Sequence, residues 1–133
     1  NTMNKNTIVL VDDDLTINYF HKRLLKIYFD QEFIQTCFNG KQAIDTLLSL
    51  NEKLDKDDNV TVLLDLNMPV MNGWEFLAEF HSLKTELKFN CSIYIITSSI
   101  NPEDKKHGVS DFNVANFFNK PLSKNDVDLI FNK

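Results

Sequence analysis

Cysteine is scarce in this chain: Cys37 and Cys91 are the whole complement among 133 residues, and they form no CxxC pair. That excludes a disulfide scaffold and a cysteine-based zinc module. Long apolar runs are missing too, since none approaches the ~20 residues needed to span a bilayer. Positive charge is in deficit, with 14 Lys and Arg against 19 Asp and Glu and a net charge of −5. No broad basic surface for a phosphate backbone follows from such a balance, so direct nucleic-acid binding is not expected. The first residues, Asn1-Thr2-Met3-Asn4-Lys5, contain no apolar stretch of a signal peptide. The chain is therefore expected to be cytoplasmic, with Met3 as a candidate native start.

What remains is the composition of an ordinary globular domain, 43% hydrophobic and 25% charged, over a length that fits one domain. The apolar residues alternate between two patterns. Ile8–Val11, Phe33–Phe38, Val60–Leu64, Ser92–Ile96 and Val114–Phe118 read as strands. Between them lie helical stretches: Leu15–Phe29 with a stripe of Ile17, Phe20, Leu24 and Ile27; Lys41–Leu50 with Ala43, Leu47 and Leu50; and Trp74–Leu87 with Trp74, Leu77 and Phe80. A weakly written fourth helix follows Pro102, and Lys124–Phe131 closes the chain, capped by Ser123. Five strand–helix alternations predict an α/β fold, with a parallel sheet covered on both faces. In such sheets chemistry sits just beyond the carboxyl ends of the strands.

Those ends are chemically pointed. The first strand runs into Asp12-Asp13-Asp14, the third into Asp65, the fourth into Thr97-Ser98-Ser99, and the fifth into Asn119-Lys120-Pro121. Carboxylates brought together from two strand ends repel unless a cation joins them. A set of hard oxygen ligands without His or Cys favours Mg²⁺. Each residue also has an ordinary reading. Asp12–Asp14 can cap the following helix, Lys120 can form a plain salt bridge, and Thr97 is common in strands. Asp65, however, is followed by Leu66-Asn67-Met68-Pro69 and caps no adjacent helix. No Gly-rich loop follows the first strand, which disfavours a flavodoxin-like cofactor binder. His21, His81 and His107 are scattered away from the acids and are expected at the surface.

The residues Val11-Asp12-Asp13, Leu64-Asp65-Leu66-Asn67-Met68-Pro69-Val70-Met71-Asn72-Gly73, Thr97-Ser98 and Lys120-Pro121 resemble, in order and spacing, the receiver domains of two-component response regulators. The likeness runs from about Thr7 to Phe131 and is to the stand-alone, CheY-like type, one domain over 1–133 without an output domain. It implies a doubly wound five-stranded parallel sheet, flavodoxin-like, with strand order 2-1-3-4-5. By the same resemblance Asp65 is the phosphoacceptor. Asp12, Asp13, Asp65 and the backbone carbonyl of Asn67 hold Mg²⁺ (or Mn²⁺), Asp12 largely through water. Lys120, whose bond to Pro121 is implied to be cis, pairs with Asp65 before phosphorylation and with the phosphate afterwards. Thr97 is the switch hydroxyl, Ser98 lets the phosphate approach the backbone, and Phe117 is the switch aromatic, although it also reads as a core residue.

The implied role is that of a phosphoryl-accepting switch rather than an enzyme. A sensor histidine kinase or a histidine phosphotransfer protein would be the donor. A downstream partner would read the face formed by the fourth helix, fifth strand and last helix of a monomer. The alternative is a phosphorylation-independent interaction module on the same fold. The role of Asp14 beside the acid pair stays open at this level.

Overall fold

Ile8-Val9-Leu10-Val11 offers apolar side chains to both sides of a strand, so both sides must be covered. The computed structural model, which describes residues 6–98, 101–111 and 113–132 without the side chains of 108–110, shows how. Residues 1–5, and with them the start at Met3, lie outside the described residues, as does Ser99. The elements follow in strict alternation: β1 (Asn6–Val11), α1 (Leu15–Leu25), β2 (Ile34–Cys37), α2 (Gly40–Leu50), β3 (Asn59–Leu64), α3 (Gly73–Leu83), β4 (Asn90–Thr97), α4 (Pro102–Ser110), β5 (Val114–Asn119) and α5 (Lys124–Phe131). All strand pairs are parallel and the order is β2-β1-β3-β4-β5, as the resemblance implies. No helix among the described residues is long and apolar enough to cross a membrane.

Alternation along the strands sorts the core into two layers. Val9, Val11, Val62, Leu64, Ile93 and Ile95 pack with Ala43 and Leu47 of α2 and Phe76, Leu77 and Phe80 of α3. Ile8, Leu10, Leu63, Tyr94, Ile96 and Phe118 face the other way, against Leu24 and Leu25 of α1 and Val127 and Ile130 of α5. Each such side chain contributes roughly 1.5–3 kcal/mol on leaving water. β2 and β5 form the sheet edges, in keeping with the less apolar sequence around the second strand.

The helix ends follow their local chemistry. Asn39 caps α2, while Asn72 with Glu75 and Ser123 with Asp126 form capping boxes at α3 and α5. Asn101 caps α4 by accepting from the Asp104 N–H at 2.7 Å, which gives a full nine-residue helix where the sequence pattern was weak.

Two expectations for α1 are corrected. The helix stops at Leu25, not Phe29: Ile27 and Tyr28 donate to the carbonyls three residues back, a tightening turn that places Phe29 against Phe131 with ring centroids 4.8 Å apart. The buried stripe is also rotated from the expected one. Phe20 and Ile27 are 46% and 64% exposed, whereas Asn18, His21, Leu24 and Leu25 face the sheet.

Candidate functional site

Backbone pairing continues one residue past the ends of three strands and thereby sets the site. The Asp12 N–H donates to the Cys37 carbonyl at 3.0 Å and the Asp65 N–H to the Val11 carbonyl at 2.9 Å. Both aspartates are 4% exposed, at the C-terminal rim where β1 and β3 meet, which is the switch in strand order. Asp13 is exposed beside them. One carboxylate oxygen from each of Asp12, Asp13 and Asp65 can be chosen so that all three lie within 4.8 Å of one another.

The run Asp12–Asp14 divides into different jobs. Asp14 is the N-cap of α1, accepting from the N–H groups of Thr16 (2.9 Å) and Ile17 (3.3 Å), which answers the open question about its role. Asp12 does not cap the helix. Its Oδ1 accepts the Asp14 N–H at 2.9 Å, and its Oδ2 accepts Lys120 Nζ at 2.8 Å.

Lys120 reaches the site from the end of β5. Its N–H donates to the Thr97 carbonyl at 2.8 Å, and its bond to Pro121 is cis. Nζ sits 2.8 Å from Asp12 and 3.5 Å from Asp65, so the closer partner is Asp12. Burial disfavours the ammonium, but the hydrogen bond to Asp12 and the charges of Asp12 and Asp65 outweigh it and raise its pKa.

Asp65 is pushed up to about 6. Burial is the main cause and the Asp12 charge adds to it, against the opposing pull of Lys120 and the N–H groups of Asn67 and Leu66. A carboxylate held this far above its usual range favours any cation that lets it ionise. Three hard oxygen donors of this kind suit a small divalent metal ion. The exposed loop after Asp65 is tied down on both sides. The Gly73 N–H donates to the Leu66 carbonyl at 2.9 Å, and the Gly40 N–H to the Met71 carbonyl at 2.8 Å. Within it Asn67 is exposed, and Val70 takes φ 67°, rare for a β-branched residue.

Thr97 closes β4 and is 1% exposed, with Ser98 exposed beyond it. Leu64 pairs with Ile95, so Thr97 lies at the same rim as Asp65. Phe117 is farther down the sheet, paired with Ile95 and half-buried against the core layer under α2 and α3.

His21 is the misplaced histidine. It was expected at the surface, but it is 3% exposed, and its Nε2 accepts the Leu122 N–H at 3.0 Å. Its neighbour one turn earlier, Asn18, is 4% exposed and donates Nδ2 to the carbonyls of Asp12 (2.8 Å) and Cys37 (3.3 Å). The sequence did hold a signal: Asn18, His21 and Leu25 follow a helical spacing, but polar residues were not assigned to the buried stripe. His81 and His107 are exposed as expected, and the His107 ring stacks on Trp74 at 4.1 Å.

Residues 8–131 match the family described as response regulator receiver domain. Among curated proteins, a protein-glutamate methylesterase/protein-glutamine glutaminase of Clostridium acetobutylicum is 32% identical over 96% of this chain and 36% of its own length. The nitrate/nitrite response regulator protein NarL of Escherichia coli is 41% identical over 53% of this chain and 30% of its own. The chain thus spans about a third of these relatives. Among solved structures, a two-component response regulator from Cytophaga hutchinsonii superimposes with a TM-score of 0.79 at 25% identity, covering 97% of this chain and 96% of that one.

Proposed function

Since this chain belongs to the response regulator receiver domain family, we propose that it is a phosphoryl-accepting switch with Asp65 as the acceptor. The observation that carries this reading is the convergence of Asp12, Asp13, Asp65 and Lys120 from three strand ends onto one crevice.

In the proposed reaction an Asp65 carboxylate oxygen attacks the phosphorus of a phosphohistidine on a sensor kinase or a histidine phosphotransfer protein. The new O–P bond forms as the N–P bond breaks, and the bonding pair leaves with the imidazole nitrogen. Little covalent work falls to the protein, so positioning and charge neutralisation dominate. Asp12, Asp13, Asp65 and the Asn67 carbonyl would hold Mg²⁺, which supplies positive charge at the phosphoryl oxygens. Lys120 supplies the second positive charge, moving from its carboxylate partners to the phosphate. Thr97 donates its hydroxyl to the phosphate, Ser98 is small enough to let it approach the backbone, and Phe117 repacks as Thr97 moves. The change is read by a partner on the face formed by α4, β5 and α5.

The helix α1, which starts directly after the acids and is capped by Asp14, exposes the apolar residues Leu15, Tyr19 and Phe20, a surface on which a donor protein would settle. On this reading the unit acts as one receiver domain, as a monomer and in the cytoplasm. No observation favours the phosphorylation-independent alternative, because all the acids and the lysine are present and brought together. Mass spectrometry after incubation with acetyl phosphate and Mg²⁺ tests the reading. One phosphoryl group is expected on the wild type and none on Asp65→Asn, and equal labelling of both removes Asp65 as acceptor. Asp13→Asn should weaken Mg²⁺ binding, and an unchanged titration removes Asp13 from the metal site.

A further inference from the structure

The buried face of α1 is unusual for a helix packed on a sheet. It places Asn18 and His21 against the core while Leu15, Tyr19 and Phe20 stay in solvent. Polar groups buried in this way persist where their hydrogen bonds do something an apolar residue could not. Asn18 holds the Asp12 carbonyl, and His21 holds the Leu122 N–H. Asp12 and Lys120 are the two ends of the 2.8 Å ion pair at the site. One helical turn therefore grips the backbone on both sides of that pair.

The segment 120–122 shows why the grip on Leu122 matters. Pro121 has no N–H, so the segment has two backbone donors. One, on Lys120, is spent on the Thr97 carbonyl; the other, on Leu122, is spent on His21. Leu122 is 2% exposed, so water cannot replace the imidazole as acceptor. Accepting at Nε2 requires a lone pair there, which places the imidazole proton on Nδ1.

We propose that His21 is a positioning residue of the phosphoacceptor site: by accepting the Leu122 N–H it seats the segment that carries Lys120, and so sets the Lys120 ammonium between Asp12 and Asp65. His21 touches no reacting atom and acts only through Lys120. The kinetic consequence rests on the proposed acceptor role of Asp65. The placement of Lys120 does not.

The experiment compares the full chain with His21→Leu, which removes the acceptor, and His21→Gln, whose Oε1 can take the place of Nε2. If His21→Leu does not fold, His21→Met replaces it. The rate of labelling by acetyl phosphate at saturating Mg²⁺ should fall about tenfold in His21→Leu, as expected when a charge-neutralising group is misplaced. The Mg²⁺ dissociation constant should stay within about twofold, because the carboxylates are carried by other segments, and His21→Gln should recover most of the rate. A folded His21→Leu at the wild-type rate overturns the proposal. So does a parallel loss of rate and Mg²⁺ affinity in both variants, which marks a merely structural role. If the wild type is not labelled at all, the acceptor reading fails first. The Lys120 Nζ resonance in the NMR spectrum then decides: a shift in His21→Leu that is absent in His21→Gln supports the positioning role, and no shift overturns it.

Discussion

Asp65 carries a cost in the folded protein that its surroundings are built to relieve. Its pKa lies at about 6, against 3.8 for a free Asp, chiefly through burial. The folded state thus binds the proton more tightly than the unfolded chain does. Stability contributed by the protonated form is complete below about pH 4 and is lost as pH rises through 6. Without divalent metal at pH 7.5, Asp65→Asn should be more stable than the wild type by about 1 kcal/mol, once solvent screening is allowed for, judged by urea denaturation. The gap should close below pH 4. A wild type as stable as the variant at pH 7.5 would show that Asp65 is not strained. His21 has the opposite sign. Burial lowers it to about 4, with Asp12 opposing and Lys120 adding to the shift. A base with a depressed pKa is fully stabilising above 6.5 and loses that contribution as pH falls towards 4. The melting temperature of the wild type should therefore drop relative to His21→Gln by several degrees between pH 7 and pH 5, a shift that thermal melts in matched buffers will show.

The connections between elements hold the site by close approach rather than by bulk. Gly73 opens α3 directly beneath the acid: a Cβ there would lie 2.6 Å from the Asp65 carbonyl oxygen and 2.8 Å from Leu66 Cα, both backbone. Backbone cannot yield without moving Asp65, so Gly73→Ala should cost about 2 kcal/mol or more and weaken Mg²⁺ binding as well. Calorimetric titration alongside denaturation checks both effects. Val70 gives the reverse case. It is 80% exposed, so its side chain adds little burial, and its φ of 67° is strained for a β-branched residue. Val70→Gly should relieve that strain and raise stability by about 0.5–1 kcal/mol, after the entropy cost of glycine, as a higher urea midpoint. A lower midpoint would mean that the loop geometry is not strained. At α1, the element scale explains the misplaced stripe. Ile17, Phe20, Leu24 and Ile27 make an acceptable apolar face in isolation. At the rim the Leu122 N–H and the carbonyls of Asp12 and Cys37 are hydrogen-bonded by His21 and Asn18, which turns these two residues inward instead.

If the acids hold a divalent metal as proposed, cation binding, protonation and stability form one linked system across the whole molecule. A metal that binds only the folded chain stabilises it by mass action, and a proton on Asp65 would compete with that metal. The Mg²⁺-induced rise in melting temperature should thus be largest above pH 7, shrink as pH falls through 6, and vanish on chelation by EDTA. A rise that ignores pH between 5 and 7 would mean that Asp65 is not a ligand. Much of this system was legible beforehand. Asp12, Asp13, Asp65 and Lys120 each follow a strand, and strand ends on one edge of a parallel sheet meet by topology alone. What escaped notice were side chains whose role depends on which way a helix is turned.

The sequence determined the strand–helix alternation, the five-stranded parallel sheet and the identity of the residues at its rim, because hydrophobic periodicity and capping are local properties. Tertiary structure decided three things that no local pattern encodes. It rotated α1 so that polar side chains face the core. It placed the Lys120 ammonium between the two acids, 2.8 Å from Asp12 and 3.5 Å from Asp65. And it shifted the register between β4 and β5 after Ile93, which leaves Ala115 as an extra residue in β5. Strand side chains alternate faces, so that single inserted residue decides which layer takes Phe117 and which takes Phe118, and it sets where the end of β5 delivers Lys120. Each of these depends on the distances between segments far apart in the chain, and such distances exist only once the whole sheet has formed.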